Sequence, residues 1–128
     1  MNNKYCLLMT LFCLVFNCLN IASAQPNFSW GVVYGSDTNI QEAETEIEQL
    51  PGILPQYRNL ERLLFKRSNF YVSVIVFPSQ IDAKNALPII ENEYKRGSFV
   101  VPLNHWCRPN WSNYRTAING INYYDCGR

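Results

Sequence analysis

The sequence predicts an α+β domain in which two helices lie on one face of a four-stranded antiparallel sheet. Two segments alternate their side chains with the period of a strand, and two others repeat apolar residues with the period of a helix. Shorter apolar runs complete the order β-α-β-β-α-β, which is the split β-α-β arrangement of ferredoxin-like folds. The length of 128 residues, 48% of them hydrophobic, allows one such domain.

Residues 1–24 are predicted to be a signal peptide and not part of the domain. Met1–Tyr5 carries one positive charge, Cys6–Phe16 is uncharged and apolar, and Ala22–Ala24 has the small-residue pattern of a cleavage site. The apolar run is shorter than the roughly 20 residues that span a membrane. We therefore expect export to a periplasm or to the extracellular space, with no membrane segment after cleavage. A retained signal anchor is the alternative.

The charge balance argues against a nucleic-acid partner. The chain has 11 basic and 10 acidic residues, and loss of Lys4 with the signal peptide would leave equal numbers. An exported neutral protein lacks the basic excess that recruits polyanions. Some basic residues gather around the second predicted strand, either to meet an acidic ligand or partner or to solubilise a sheet edge: Arg58, Arg62, Lys66 and Arg67.

The domain, which we assign to residues 25–103, begins with a strand and a helix. Phe28–Gly35 alternates, with four larger side chains on one side: Phe28, Trp30, Val32 and Tyr34. Ser36 and Asp37 are candidate caps for the helix that follows. Pro51-Gly52 ends that helix, whose apolar stripe contains Ile40, Ala43, Ile47 and Leu50.

The second half of the domain repeats this order after a strand at Leu60–Lys66. A tight turn leads into Phe70–Phe77, the clearest strand of the chain, and Ser79 and Asp82 form a capping box for the second helix. Pro88 is expected to kink or split that helix, whose stripe contains Ala83, Ala86, Leu87, Ile90 and Tyr94. Ser98–Leu103 is the last predicted strand, and Pro102 marks it as an edge or a strand end.

Residues 104–128 are predicted to be an irregular aromatic tail pinned by a disulfide. Three of the five cysteines lie in the signal peptide, which leaves Cys107 and Cys126. Export makes a disulfide between them the expected state, and closing a loop of about 20 residues contributes about 3 kcal/mol in the chain-entropy model. We expect the tail to pack back on the domain through its aromatic residues: Trp106, Trp111, Tyr114, Tyr123 and Tyr124.

Several of these residues resemble the SPOR (sporulation-related repeat) domains of bacterial cell envelopes. The similarity begins with a strand that ends at Gly35-Ser36 before a helix containing Ala43. It is closer in the strand Phe70–Val74 and in the alanine-bearing helix that follows, with Phe77, Ser79, Asp82-Ala83 and Leu87. The resemblance implies a non-catalytic module that binds peptidoglycan glycan strands on its open sheet face. Many members carry Arg and Gln where this chain has Tyr71 and Val33.

The predicted ligand-binding surface is the sheet face opposite the helices. If Val72 and Val74 join the first strand against the helices, the other face carries the candidate contacts Tyr71, Ser73, Val33 and Ile75. A flat face of small residues around an aromatic ring suits a sugar. The alternative is that the tail covers this face and that the domain is structural or binds a protein partner of the envelope or extracellular space.

The residues that carry catalysis in other proteins do not assemble into an expected active site. His105 is the only histidine, and a pair with Cys107 gives too few ligands for a metal. A Cys–His nucleophile pair would need a free thiolate, which pairing with Cys126 removes. The glutamates of the first helix are spaced by two and point to different sides. We therefore expect no enzyme, no cofactor and no metal.

Overall fold

A computed structural model describes residues 29–108 and 111–127 of the chain. The predicted signal peptide, together with Phe28, lies outside the described residues. The strands are β1 (Trp30–Asp37), β2 (Arg62–Arg67), β3 (Phe70–Phe77), β4 (Phe99–Pro102), β5 (Tyr114–Thr116) and β6 (Asn122–Asp125). The helices are α1 (Ile40–Ile53), α2 (Gln80–Glu93) and the short α3 (Leu103–Trp106), with 3-10 turns at Pro55–Tyr57 and Trp111–Asn113.

The fold is α+β, but the sheet has six strands and is mixed, which corrects the predicted sheet of four antiparallel strands. The strand order is β4-β1-β3-β2-β6-β5. The first four strands are antiparallel to their neighbours, whereas β6 pairs parallel to β2. The tail therefore extends the sheet instead of remaining irregular. Its strands have only three and four residues, too few for their alternation to be recognised in the sequence.

Both long helices are capped at their N-termini by side chains. Ser79 caps α2 as predicted, because its hydroxyl accepts a hydrogen bond of 3.1 Å from the backbone N–H of Asp82. In α1 the cap is Asn39 and not Ser36 or Asp37, which belong to β1. Each helix continues past an internal proline, Pro51 in α1 and Pro88 in α2, so α2 is not split.

The main core lies between the helices and one face of the sheet, called here the helix face. Both α1 and α2 contribute to it, as predicted. Its fully or almost fully buried apolar side chains are Val32, Tyr34, Leu50, Leu54, Ile75, Phe77, Ala83, Ala86 and Ile90. Side chains from β1, β3 and both helices thus share one contiguous core.

The orientation predicted for β3 is wrong. Val72 and Val74 belong to the second face, opposite the helices, where they pack with Val33 and Phe65. The register confirms this, because Val33 lies opposite Val74 and Val32 lies opposite Ile75. The β1–β3 pairing then shifts between Val33 and Gly35, so Tyr34 forms a bulge. Since both faces of β3 are apolar, alternation alone did not determine which face meets the helices.

The tail covers part of the second face. Leu103 is fully buried there and Cys107 almost so. The Phe65 ring packs edge-on against Trp106 and stacks on Tyr124, both with centroids 5.7 Å apart. Backbone hydrogen bonds continue the parallel pairing, with the N–H of Cys126 donating to the carbonyl of Lys66 at 2.8 Å. The cover leaves one end of this face open, where Phe70 and Phe99 remain about half exposed.

Candidate functional site

A groove of about 380 Å³ opens at the uncovered end of the second face. It is called here the sheet groove. Residues of β1, β2, β3, β4, α3 and the β2–β3 turn line it: Val33, Ser36, Arg67, Ser68, Phe70, Val72, Phe99 and Trp106. Strand pairing places them together, since Phe99 lies opposite Val33, Ser36 opposite Val72, and Arg67 opposite Phe70.

The sheet groove has an apolar floor and aromatic walls. Val33 and Val72 are buried and form the floor. Phe70 and Phe99 are 47% and 48% exposed, and together they form an exposed aromatic patch beside this floor. Trp106 closes the side nearest the tail and is half-buried. Concave apolar sites with a few polar groups are the usual form of ligand sites.

Among the described residues that line the sheet groove, Arg67 is the only one with an ionisable side chain. Its guanidinium carbon lies 4.4 Å from the centroid of the Trp106 ring, a cation–π contact. Its Nε atom is buried and has no hydrogen-bond partner. Within residues 29–108 and 111–127, the one ion pair joins Lys95 to Glu46 under the helices, so Arg67 has no carboxylate partner there.

The disulfide predicted between Cys107 and Cys126 is present and anchors the Trp106 wall. The Cα atoms of the two cysteines are 4.9 Å apart. Cys107 follows α3 directly, and Cys126 follows β6. The bond therefore ties the residue next to Trp106 to the strand beside β2, and the groove wall becomes part of the sheet assembly.

The four residues predicted to bind ligand do not share one surface. Ser73 and Ile75 are fully buried on the helix face, where the Ser73 hydroxyl donates a 3.2 Å hydrogen bond to the carbonyl of Ala43. Tyr71 is half-buried on the same face and packs edge-on against Tyr123 at 5.6 Å. Val33 alone lies on the second face, at the floor of the sheet groove.

A cluster of polar side chains on the helix face links α1 to the residues that follow α2. The Glu46 carboxylate pairs with Lys95, and the Tyr94 hydroxyl donates a 3.0 Å hydrogen bond to the backbone carbonyl of Glu46. Burial, with the charge of Glu46 adding to it, raises the pKa of Tyr94 to about 12. Burial also raises the pKa of Tyr34 strongly. Both phenols therefore stay protonated at neutral pH.

The described residues contain neither a cluster of three or more potential metal-ligating His, Cys, Asp or Glu side chains nor a helix long and apolar enough to cross a membrane. Cys107 is held in the disulfide, which leaves no thiolate beside His105. The lining of the sheet groove consists of aromatic rings, two valines, two hydroxyl groups and one cation.

The groove residues Phe70, Phe99, Trp106 and Arg67 were not among the predicted contacts. A signal for Phe70 was present, because it begins the same alternating series as Val72 and Val74. The predicted orientation of β3 directed that series to the helices. Trp106 was recognised only as part of an aromatic tail, since its place in the groove depends on the disulfide and on α3.

Comparison of the chain with protein-family models, curated proteins and solved structures gave no match. The resemblance to SPOR domains therefore depends on the residues quoted above.

Proposed function

We propose that the protein is an exported, non-catalytic binding module that holds a glycan strand in the sheet groove. The observation that carries this proposal is the position of Phe70, Phe99 and Trp106 around a concave apolar floor on the face opposite the helices. Export is supported by the pattern of residues 1–24 and by the disulfide, which is typical of oxidising compartments.

The chemistry of the groove suits a saccharide. A sugar ring has apolar C–H faces that pack on aromatic rings, and its rim carries hydroxyl groups that need hydrogen-bond partners. The groove supplies aromatic rings for the first requirement, and Ser36, Ser68 and Arg67 for the second. A neutral, rigid floor of valines leaves the rings as the main source of contact area.

The proposed ligand is the glycan strand of peptidoglycan. The SPOR resemblance implies binding on the sheet face opposite the helices, and the sheet groove lies on that face. We also propose that β1–β4 with α1 and α2 form a ferredoxin-like core of this type. The order β4-β1-β3-β2 of its strands supports this, and the tail strands β6 and β5 are then an addition at the β2 edge.

Co-sedimentation with purified peptidoglycan sacculi tests the proposal. We expect the protein to pellet with sacculi, more so after amidase treatment has removed stem peptides. Phe70→Ala combined with Phe99→Ala should lower retention about tenfold or more, because the exposed rings supply the contact area. Ile81→Ala is the matched control, since Ile81 is 71% exposed on α2, away from the groove. Equal retention of all three proteins would contradict the proposal.

A structural or protein-interaction domain is the second candidate. The tail favours it, because Leu103, Cys107 and Tyr124 cover part of the face on which a ligand was expected. In that case the exposed rings of Phe70 and Phe99 would contact a protein of the envelope or extracellular space. Absence of the unmodified protein from the pellet under both conditions would favour this candidate.

A further inference from the structure

We infer that the sheet groove selects saccharides that carry a carboxylate, and that Arg67 recognises the acid group. This inference rests on the proposed glycan-binding function and specifies the class of ligand. It begins from the guanidinium of Arg67, which makes no hydrogen bond or ion pair with another residue of the described ranges and lies over the Trp106 ring.

The contact with Trp106 fixes where the guanidinium lies. The planar group lies within 4.4 Å of the ring centroid, and the ring is held by its packing on Phe65 and by the neighbouring disulfide. A guanidinium held in this way loses little conformational freedom when it binds a carboxylate through two parallel hydrogen bonds. The site is therefore preorganised for a planar anion.

The neighbouring carboxylates turn away from the groove. Asp37 lies opposite Tyr71 in the register, which places it on the helix face. Asp125 lies opposite Lys66 on that same face, and its carboxylate accepts a 2.9 Å hydrogen bond from the backbone N–H of Gly127. Every other residue lining the groove is uncharged. Arg67 therefore supplies one positive charge to the groove, and no described residue of the lining carries a negative charge.

Partial burial makes this charge selective. A cation shielded from water interacts more strongly with an anion than one on an open surface, and it gains most from a ligand that completes its hydrogen bonds. The aromatic walls hold the ring of any sugar, whereas Arg67 forms an ion pair only with those that carry an acid group. The hydroxyl groups of Ser36 and Ser68 lie in the same lining and can form hydrogen bonds with acidic and uncharged saccharides alike.

Calorimetric titration with a matched pair of saccharides tests this inference. The probes are a tetrasaccharide of the peptidoglycan backbone with its lactyl carboxylates free and the same tetrasaccharide as its methyl ester. We expect the free acid to bind the oxidised protein about tenfold more tightly, with a preference that shrinks as salt is raised. Arg67→Gln should lower the affinity for the acid far more than that for the ester, so that the tenfold preference for the acid disappears.

Lys66→Gln is the matched control, because it removes the same charge one residue away on the helix face, beside Tyr71. It should leave the preference intact. Equal affinity of the unmodified protein for acid and ester would overturn the inference and leave the proposed function in place. Binding of neither tetrasaccharide would overturn the proposed function itself. Should Arg67→Gln fail to fold, the two titrations of the unmodified protein still decide the matter.

Discussion

The two faces of the sheet are closed by different means. On the helix face, two 14-residue helices supply a continuous core whose residues follow helical spacing in the sequence. On the second face, a short helix, two short strands and a disulfide cover only part of the sheet. The helix face keeps a contiguous core and has cavities at its surface, whereas the second face leaves a groove whose floor is the sheet itself. The difference explains why the candidate site lies where it does.

Removal of the disulfide should produce the largest difference between the two faces. We expect the double variant Cys107→Ser, Cys126→Ser to lose about 3 kcal/mol of unfolding free energy. The measurement is urea unfolding together with amide hydrogen exchange. The amide of Cys126, which donates to Lys66, should lose protection, while central amides of β3 keep theirs. Uniform loss of protection across both faces would show that the tail and the helix core unfold as one unit.

Substitution of two glycines of β1 compares the two faces at single positions, with smaller expected losses of stability. A methyl group at Gly31 would meet Val74 at 2.6 Å and Leu103 at 3.1 Å on the second face, where neither neighbour is free to move. We expect Gly31→Ala to cost about 2 kcal/mol by overpacking. A methyl group at Gly35 would meet the Glu46 carboxylate on the helix face. That carboxylate ends a flexible side chain, so Gly35→Ala should cost about 1 kcal/mol or less.

Chemical denaturation of both variants checks this order. Adding Glu46→Ala to Gly35→Ala should remove most of the steric cost, because the nearest contact that then remains is with the Cβ of Ser73, at 3.2 Å. If Gly35→Ala proves the more damaging change, the helix face is the more rigid of the two.

The smallest expected effect is a loss of stability at high pH that arises from Tyr94 on the helix face. The pKa of Tyr94 is raised to about 12, so its neutral form is favoured in the folded state. The stability this provides is fully present below the ordinary pKa of 10 and is lost as pH rises from about 10 to 12. Thermal unfolding between pH 9 and pH 12 should therefore fall less steeply for Tyr94→Phe. Parallel curves for the two proteins would contradict the assigned environment.

Local patterns in the sequence predicted the elements well, because each has a period or cap of its own. The alternation of β3, the stripe of α2 and the Ser79 cap are all local signals. The pairing of Cys107 with Cys126 followed from elimination and export. The orientation of β3 was not accessible in this way, since both of its faces are apolar and the bulge at Tyr34 depends on pairing between strands.

The candidate site was predicted only in part for the same reason. Placing it on the sheet face opposite the helices agrees with the position of the groove, and Val33 does lie on its floor. Ser73 and Ile75 are instead buried under the helices, because the two faces of β3 are the reverse of those predicted. Arg67 and Trp106 are far apart in the sequence, and their contact depends on a turn, a short helix and a disulfide. A local sequence pattern cannot predict a contact of this kind.

The parallel pairing of β6 with β2 also affects how the folded protein meets other copies of itself. A free β2 would present six residues of backbone donors and acceptors, with Leu63, Leu64 and Phe65 at its centre and basic residues at its ends, as a template for intermolecular strand addition. With the tail in place, that side of the sheet ends at β5, which has three residues, all exposed, and carries Arg115. The tail thus replaces a six-residue sheet edge with a three-residue edge that carries a positive charge. The disulfide that holds the tail therefore protects the protein from aggregation as well as from unfolding.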